Sequence, residues 1–247
     1  MIDLLKRLTQ KKKPAAKIRE AILETPQGPV TVRAKRSRRA RRMTLRIDAA
    51  NDCAVLVLPT YVALAEGLDF ARSKAGWLQE KLAALPARQN FGDGAALDVM
   101  GRRIVIRRDP ARGARIAEED GVLYVGGEEA LLRGRVLRWL KAEVKREIGR
   151  IAATRAAELG LRHGRISLRD SRSRWGSCSS DGNLSFCWRL VFAPPEVLDY
   201  VVSHEVAHLA EMNHGPQFWQ TVERLTPHTE TARSWLAAHA TTLQRLG

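Results

Sequence analysis

Hydrophobic and polar residues alternate over short spans in the first half of the chain. Six apolar segments of four or five residues, rich in β-branched side chains and bounded by turn residues, predict strands. These segments are 30–33, 43–47, 54–58, 97–100, 103–107 and 122–125. A longer periodic segment, 62–85, predicts a helix between the third and fourth strands. The pattern indicates a β-rich N-terminal region with one helix.

The second half of the chain has longer apolar periods. Residues 128–159 carry an apolar stripe that predicts one long amphipathic helix packed on a core. Shorter apolar segments at 166–169, 175–178 and 183–190 predict a small antiparallel sheet. A helix with apolar residues on nearly every side is expected over 198–210, and two more at 217–225 and 229–246. The fold class predicted from this order is α+β.

Three regions follow from these elements. We expect a flexible basic tail over 1–20, the β-rich region with one helix over 21–127, and a catalytic domain over 128–247. A chain of 247 residues with 45% hydrophobic content is long enough to bury a sizeable core.

The candidate chemistry lies in the buried helix. His204, Glu205 and His208 form an HExxH pattern. Residues four apart lie on one face of a helix, so the two imidazoles can bind one metal ion with the carboxylate beside them. The sequence therefore predicts a metallohydrolase in which Glu205 is a general base rather than a ligand.

His214 is the predicted third ligand. In a continuous helix it would lie about 15 Å further along the axis than His204. Asn213, Gly215 and Pro216 surround it and favour a helix end and a turn, which allows the chain to return to the ion. Three imidazoles would leave a fourth position for water. Alternative third ligands are carboxylates that follow the motif, namely Glu211, Glu223 and Glu230.

The motifs around this helix resemble those of the YgjP-like metallopeptidases, predicted metal-dependent hydrolases that are distant relatives of SprT and minigluzincin-type proteases. The resemblance covers the chain from about Thr25 onward and is most specific between Arg174 and Trp219. Its motifs are Arg174-Trp175-Gly176-Ser177-Cys178, Trp188-Arg189-Leu190, Ala193-Pro194, Asp199-Tyr200-Val201-Val202, the HExxH and Asn213-His214 with Phe218-Trp219. It implies a zincin-like core of a small antiparallel sheet plus the HExxH helix, and peptidase activity. It also favours His214 over the glutamates as third ligand.

One zinc ion per chain is the expected cofactor. Three imidazoles also suit Ni²⁺ or Co²⁺, so zinc is inferred from the ligand type. An oxyanion-stabilising residue is also required, and Tyr200, His228 and Arg189 are chemically able to serve. The substrate is expected to be a peptide or protein. Strand 183–190 is either an exposed edge that binds an extended peptide or a paired central strand.

The charge of the chain is +15, and residues 1–50 contribute 15 basic against 4 acidic side chains. The segment 35–42, from Lys35 to Arg42, either binds nucleic acid phosphates or forms the solvated turn of a hairpin. The first interpretation gives an alternative function: a nucleic-acid-associated protein, either a protease recruited to DNA or a binding module whose metal site is largely structural.

The remaining features concern the cellular compartment. No membrane span or signal peptide is recognisable, and we expect a cytoplasmic protein. Cys53, Cys178 and Cys187 are too few for a disulfide framework and are expected to be reduced.

Overall fold

The structure is a computed structural model that describes residues 19–26, 28–171 and 174–246. The chain divides into two compact units, the first ending at Leu85 and the second beginning at Pro86. The predicted tail lies outside the described residues except for Arg19 and Glu20, which begin the first strand. The predicted domain boundary between 127 and 128 stays a prediction.

The first unit is a four-stranded sheet with two helices. Its strands have the order β1-β2-β4-β3, in which β2 and β4 are parallel and the outer pairs are antiparallel. Their bounds are β1 Arg19–Leu23, β2 Val30–Ser37, β3 Thr44–Asp48 and β4 Cys53–Pro59. The three strands predicted here are confirmed. β1 was not predicted, because its residues were assigned in part to the basic tail.

The helical part of this unit differs from the prediction of one helix over 62–85. The structure has α1 over Leu64–Ser73 and α2 over Ala75–Ala83, separated at Lys74 with φ −108° and ψ 15°. Gly76 is the second residue of α2, next to the break, and a glycine lowers the stability of a continuous helix by about 1 kcal/mol.

The second unit begins with another four-stranded sheet, in the order β5-β6-β8-β7. Its strands are β5 Ala96–Val99, β6 Arg102–Arg108, β7 Ile116–Glu119 and β8 Val122–Val125. The three predicted strands are confirmed. β7 was missed because its residues, Ile-Ala-Glu-Glu, carry too few apolar side chains to show a strand pattern.

α3, over Glu129–Glu158, is the long helix that the periodicity predicts. Five of its apolar residues recur every four positions and are at most 3% exposed, namely Leu132, Val136, Leu140, Val144 and Ile148. This stripe packs against the rest of the core, including the helix that carries the HExxH. α3 is therefore the support on which the candidate site rests.

The remaining elements form a small sheet followed by three helices, so the α+β class is confirmed. The sheet has the order β10-β11-β9, with strands β9 Ile166–Arg169, β10 Gly176–Cys178 and β11 Leu184–Cys187. β10 and β11 are antiparallel, as expected, whereas β11 and β9 are parallel. The helices are α4 Pro195–Ala207, α5 Pro216–Leu225 and α6 Thr229–Gln244.

The three cysteines are free thiols. Cys178 lies opposite Leu184 in the register of β10 and β11, so it does not face Cys187 across the turn. Within the described part of the chain, no helix is long and apolar enough to cross a membrane.

Candidate metal centre and cleft

α4 brings the first part of the HExxH into the core. Pro194 and Pro195 start the helix, because proline is well suited to the first helical position. Nine of the thirteen residues of α4 are buried, as the all-round apolar pattern predicts. The helix ends at Ala207, so His204 and Glu205 occupy its last turn and His208 caps it.

The chain then turns back, which confirms that the helix stops before His214. The Glu211 amide donates to the Ala207 carbonyl at 3.0 Å, and the Gly215 amide donates to the Asn213 carbonyl at 2.7 Å. Pro216 begins α5 directly after this turn. The return places His214 beside the end of α4.

The structure brings the three predicted histidines together. One nitrogen from each of His204, His208 and His214 lies within 4.8 Å of the others. The Nε2 atoms of His204 and His214 are 3.1 Å apart. Phe218 closes the base of the cluster, with its ring centroid 4.5 Å from that of His208 and 4.9 Å from that of His204.

Burial keeps two of these imidazoles neutral. It lowers the pKa of His204 to about 4, and the neighbouring histidines add to the effect. It also lowers the pKa of His208. A neutral imidazole is the form that binds a metal ion.

The donor set fits a metal ion. Two ligand nitrogens on a tetrahedral zinc ion would lie about 3.3 Å apart, given Zn–N bonds of about 2.05 Å, which is close to the separation of His204 and His214. His208 Nδ1 lies 3.0 Å from the Glu211 carbonyl oxygen, so this nitrogen carries the proton and Nε2 is left free for a metal. The three imidazoles could therefore hold one ion.

Glu205 lies against the small sheet. A Cβ atom added to Gly176 of β10 would lie 2.5 Å from the Glu205 side chain, so the strand can approach the carboxyl only because this residue is glycine. Burial raises the pKa of Glu205 to about 7, and the positive charge of Arg174 opposes the rise. The carboxyl is thus able to exchange a proton near neutral pH.

A cleft of about 720 Å³ opens over these groups. Its lining includes His204, Glu205, Tyr200 and two arginines, Arg174 and Arg233. The Tyr200 ring centroid is 5.9 Å from that of His204. Glu205 and one of the three clustered histidines, His204, therefore line the same cleft, an arrangement suited to hydrolysis of a bound substrate.

Of the three candidates for oxyanion stabilisation, only Tyr200 lies in this cleft. Arg189 is buried at 3% exposure, where it donates to the Leu246 carbonyl and to Asp170. His228 lines a different cavity, beside the start of α6. Neither Arg189 nor His228 lines the cleft, which leaves Tyr200 as the candidate.

The glutamates that might have replaced His214 are elsewhere. The group of potential ligands in the described residues consists of the three histidines alone. Glu211 takes part through its main-chain carbonyl rather than its carboxylate, and Glu223 is an exposed residue of α5. Glu230 lines the cleft without belonging to the histidine group.

Of the two interpretations of strand 183–190, the structure supports the paired central strand, because β11 is central in its sheet. The sequence did not indicate that β10 is the edge next to Glu205. The prediction also omitted the cleft arginines. Arg174 opens one of the quoted motifs and could have been considered, whereas Arg233 lies on α6 outside every motif and gave no signal.

Comparisons with known proteins agree with this geometry. The sequence model of one family, described as YgjP-like, metallopeptidase domain, matches residues 41–239. No curated protein matches the chain. Among solved structures, the zymogen of Pyrococcus abyssi abylysin is 23% identical with a TM-score of 0.35, over 40% of this chain and 97% of that one. The zymogen of Methanocaldococcus jannaschii jannalysin is 21% identical with a TM-score of 0.32, over 37% and 92%. These two structures are too dissimilar to add to the assignment.

The site and the family match together define a metal-dependent peptidase. The chain belongs to the YgjP-like metallopeptidase family.

Proposed function

We propose that this protein is a zinc peptidase in which His204, His208 and His214 hold one zinc ion and Glu205 is the general base. The observation that carries the proposal is the position of Glu205, which lines the same cleft as His204 of the histidine cluster. A bound zinc ion would lower the pKa of a water molecule and polarise the scissile carbonyl.

Glu205 would move the proton. Its carboxylate accepts a proton from the attacking water and later delivers it to the leaving amine. Burial suits this role, because it raises the pKa of the carboxyl above its usual value and so favours uptake of the proton that is later delivered. Gly176 holds β10 close enough to limit the positions that the carboxyl can take.

The substrate would lie along β10. Main-chain groups of Trp175 and Ser179 bond to β11, so those of Gly176 and Cys178 point away from it. An extended peptide can pair with such an edge and present its carbonyls to the cleft. Tyr200 is the residue of the cleft that we propose to stabilise the oxyanion, since its hydroxyl can donate a hydrogen bond.

The test combines metal content with peptide hydrolysis. We expect about one zinc per chain in the wild type and its loss in His208→Ala, measured by elemental analysis. Glu205→Gln should keep the metal and lose cleavage of a mixed peptide library, whereas Glu223→Gln, an exposed acid on α5, should keep both. A wild type without metal, or an active Glu205→Gln, would contradict the proposal.

Nucleic acid binding is a second candidate function, supported by one contact. Tyr61 is 77% exposed and donates from its hydroxyl to the carbonyl of Arg41 at 2.8 Å. An aromatic ring therefore lies beside the exposed arginines of segment 35–42, as a stacking surface for bases requires. We expect Arg38→Gln/Arg39→Gln to weaken binding of a labelled oligonucleotide at least tenfold, and Arg133→Gln/Arg138→Gln, an equal loss of charge on α3, to leave it unchanged.

The version of this alternative with a largely structural metal site is less favoured. A structural zinc site uses four protein ligands, and the described residues offer three. A cytoplasmic location remains part of our proposal and agrees with the three free thiols.

A further inference from the structure

We propose that the substrates of this peptidase are acidic polypeptides, selected by Arg233 and Arg174, which line the same cleft as Glu205. The inference rests on the proposed peptidase function and adds the chemical class of the substrate. Both arginines line the cleft, and neither takes part in the activation of water or in metal binding.

Arg233 is held in place without a carboxylate. Its guanidinium carbon is 5.3 Å from the centroid of the Trp219 ring, and Trp219 in turn packs 5.8 Å from His204. The stacking fixes the position of the guanidinium but leaves its donors available. No ion pair joins Arg233 to an acidic residue in the described part of the chain. An exposed guanidinium in a cleft is a ready partner for a substrate carboxylate.

Arg174 lines two cavities. One is the cleft, and the other is a cavity of about 420 Å³ over the outer face of the small sheet. We call this outer surface the Ser/Arg face. It consists of Arg165, Ser167, Arg169, Arg174, Ser177 and Ser185.

The register of the strands explains the composition of the Ser/Arg face. Ser177 pairs with Ser185, and Ser185 pairs with Ser167, so three hydroxyls form a row across the sheet. Arg165 and Arg169 are two residues before and after Ser167, and alternation along β9 therefore puts them on the same face. The opposite face carries Phe186 and Leu184, which are buried in the core.

The balance of charge favours an anionic ligand. The Ser/Arg face has three arginines, and its described lining contains no acidic residue. In the cleft two acidic residues of the described lining, Glu205 and Glu230, are matched by two arginines, so the excess of positive charge lies on the Ser/Arg face.

A polypeptide is favoured over nucleic acid as the ligand because the two cavities meet the same edge strand, β10. Arg174, Trp175 and Gly176 line both of them, at the start of β10. A peptide paired with β10 presents successive side chains to opposite sides of the sheet. One acidic side chain then faces the cleft and Arg233, and the next faces Arg174 and the Ser/Arg face.

The experiment measures binding and cleavage separately. Full-length Glu205→Gln loaded with zinc is titrated with fluorescent peptides of one length that differ only in having Glu, Gln or Lys on both sides of a central bond. We expect the Glu peptide to bind at least tenfold more tightly than the Gln peptide, and the Lys peptide more weakly than either. The zinc-loaded wild type should show the same order in kcat/KM.

Arginine variants then assign the preference. Arg233→Gln and Arg174→Gln, made in the Glu205→Gln chain, should each reduce the advantage of the Glu peptide about tenfold, since each removes one charged hydrogen-bonding partner. Arg233→Glu should reverse the preference toward the Lys peptide. Arg224→Gln, an exposed arginine of α5 outside both cavities, is the matched control and should change nothing.

Equal binding of the three peptides would overturn the inference, and so would an acidic preference that survives both arginine substitutions. A labelled oligonucleotide is tested in the same way. If it binds more tightly than the Glu peptide and this binding is lost in Arg165→Gln/Arg169→Gln, the Ser/Arg face binds nucleic acid and the inference is overturned. If the protein binds acidic peptides but cleaves none of them, the inferred binding preference stands and the proposed peptidase function is contradicted.

Discussion

At the scale of single residues, the site depends on a carboxyl that the fold keeps away from water. Glu205 is 6% exposed, and its side chain meets the backbone of β10 at Gly176. Its ionised form is therefore less stable in the folded protein than in the unfolded chain. Ionisation of Glu205 therefore lowers the free energy of unfolding of the metal-free protein.

We expect Glu205→Gln to stabilise the metal-free protein, and to do so more at pH 8 than at pH 5. The folded pKa of about 7 exceeds the usual 4.5, so the folded state loses stability as pH rises between these values. The full difference is about 3 kcal/mol. Thermal unfolding in a chelator, at several pH values, measures it. If the difference in the free energy of unfolding between wild type and Glu205→Gln does not change with pH, the pKa of the Glu205 carboxyl is not raised.

Gly176→Ala should displace Glu205 and leave the metal site intact. The added methyl would lie 2.5 Å from the Glu205 side chain, which must move. A shift of about 1 Å in a catalytic group can reduce kcat about 100-fold. Peptide hydrolysis and zinc content should be measured together, with Gly149→Ala, whose added Cβ meets nothing within 4 Å, as the control. Unchanged turnover in Gly176→Ala would mean that Glu205 does not need its present position.

At the scale of elements, α3 supports the helix that carries the histidines. An ion pair adds to the packing between them, because Arg155 of α3 donates to the Asp199 carboxylate of α4 at 2.9 Å. The apolar contacts contribute more, since Val144 and Ile148 of α3 are fully buried.

We expect Ile148→Ala to destabilise the second unit by about 2–5 kcal/mol, because it leaves a cavity beneath the catalytic core. Leu131→Ala, on the same helix but 50% exposed, should change the stability by less than about 0.5 kcal/mol. Denaturant unfolding of both variants measures the difference. If Ile148→Ala and Leu131→Ala destabilise the protein equally, the buried face of α3 does not support the core in this way.

The elements also show what a sequence can predict. α3 was predicted nearly to the residue because a stripe of thirty residues repeats its signal many times. β7 was not predicted, and the position of β11 was left open between the edge and the centre of its sheet. β7 is short and weakly apolar, and whether β11 is central or at an edge depends on β9, which pairs with it from a distant part of the chain.

The same contrast applies to the site. HExxH, the helix end and the turn at Asn213 are local, and the sequence predicts how they bring the histidines together. Arg233 lies 25 residues beyond His208 on α6, and only the packing of α6 on α4 brings it to the cleft. Residues recruited by tertiary contact leave no spacing pattern to detect.

At the scale of the whole molecule, the two compact units should respond differently to metal. All three histidines belong to the second unit. Zinc at 100 times its dissociation constant would stabilise that unit by about 2.7 kcal/mol. Hydrogen exchange should therefore slow in α4 and α5 on addition of zinc and stay unchanged in β1–β4. His208→Ala should abolish the effect, and an equal slowing in both units would contradict a site confined to the second.

The buried guanidinium of Arg189 has a consequence for the order in which the protein is made. Its Nε donates to the main-chain carbonyl of Leu246 at 2.7 Å, across 57 residues of sequence. A ribosome adding about 5–20 residues per second needs about 3–11 s to synthesise this interval. Until then Asp170, which is made earlier, can pair with the charge, but the Nε donor has no carbonyl partner. The cleft is also completed late in synthesis, because Arg233 of α6 lines it.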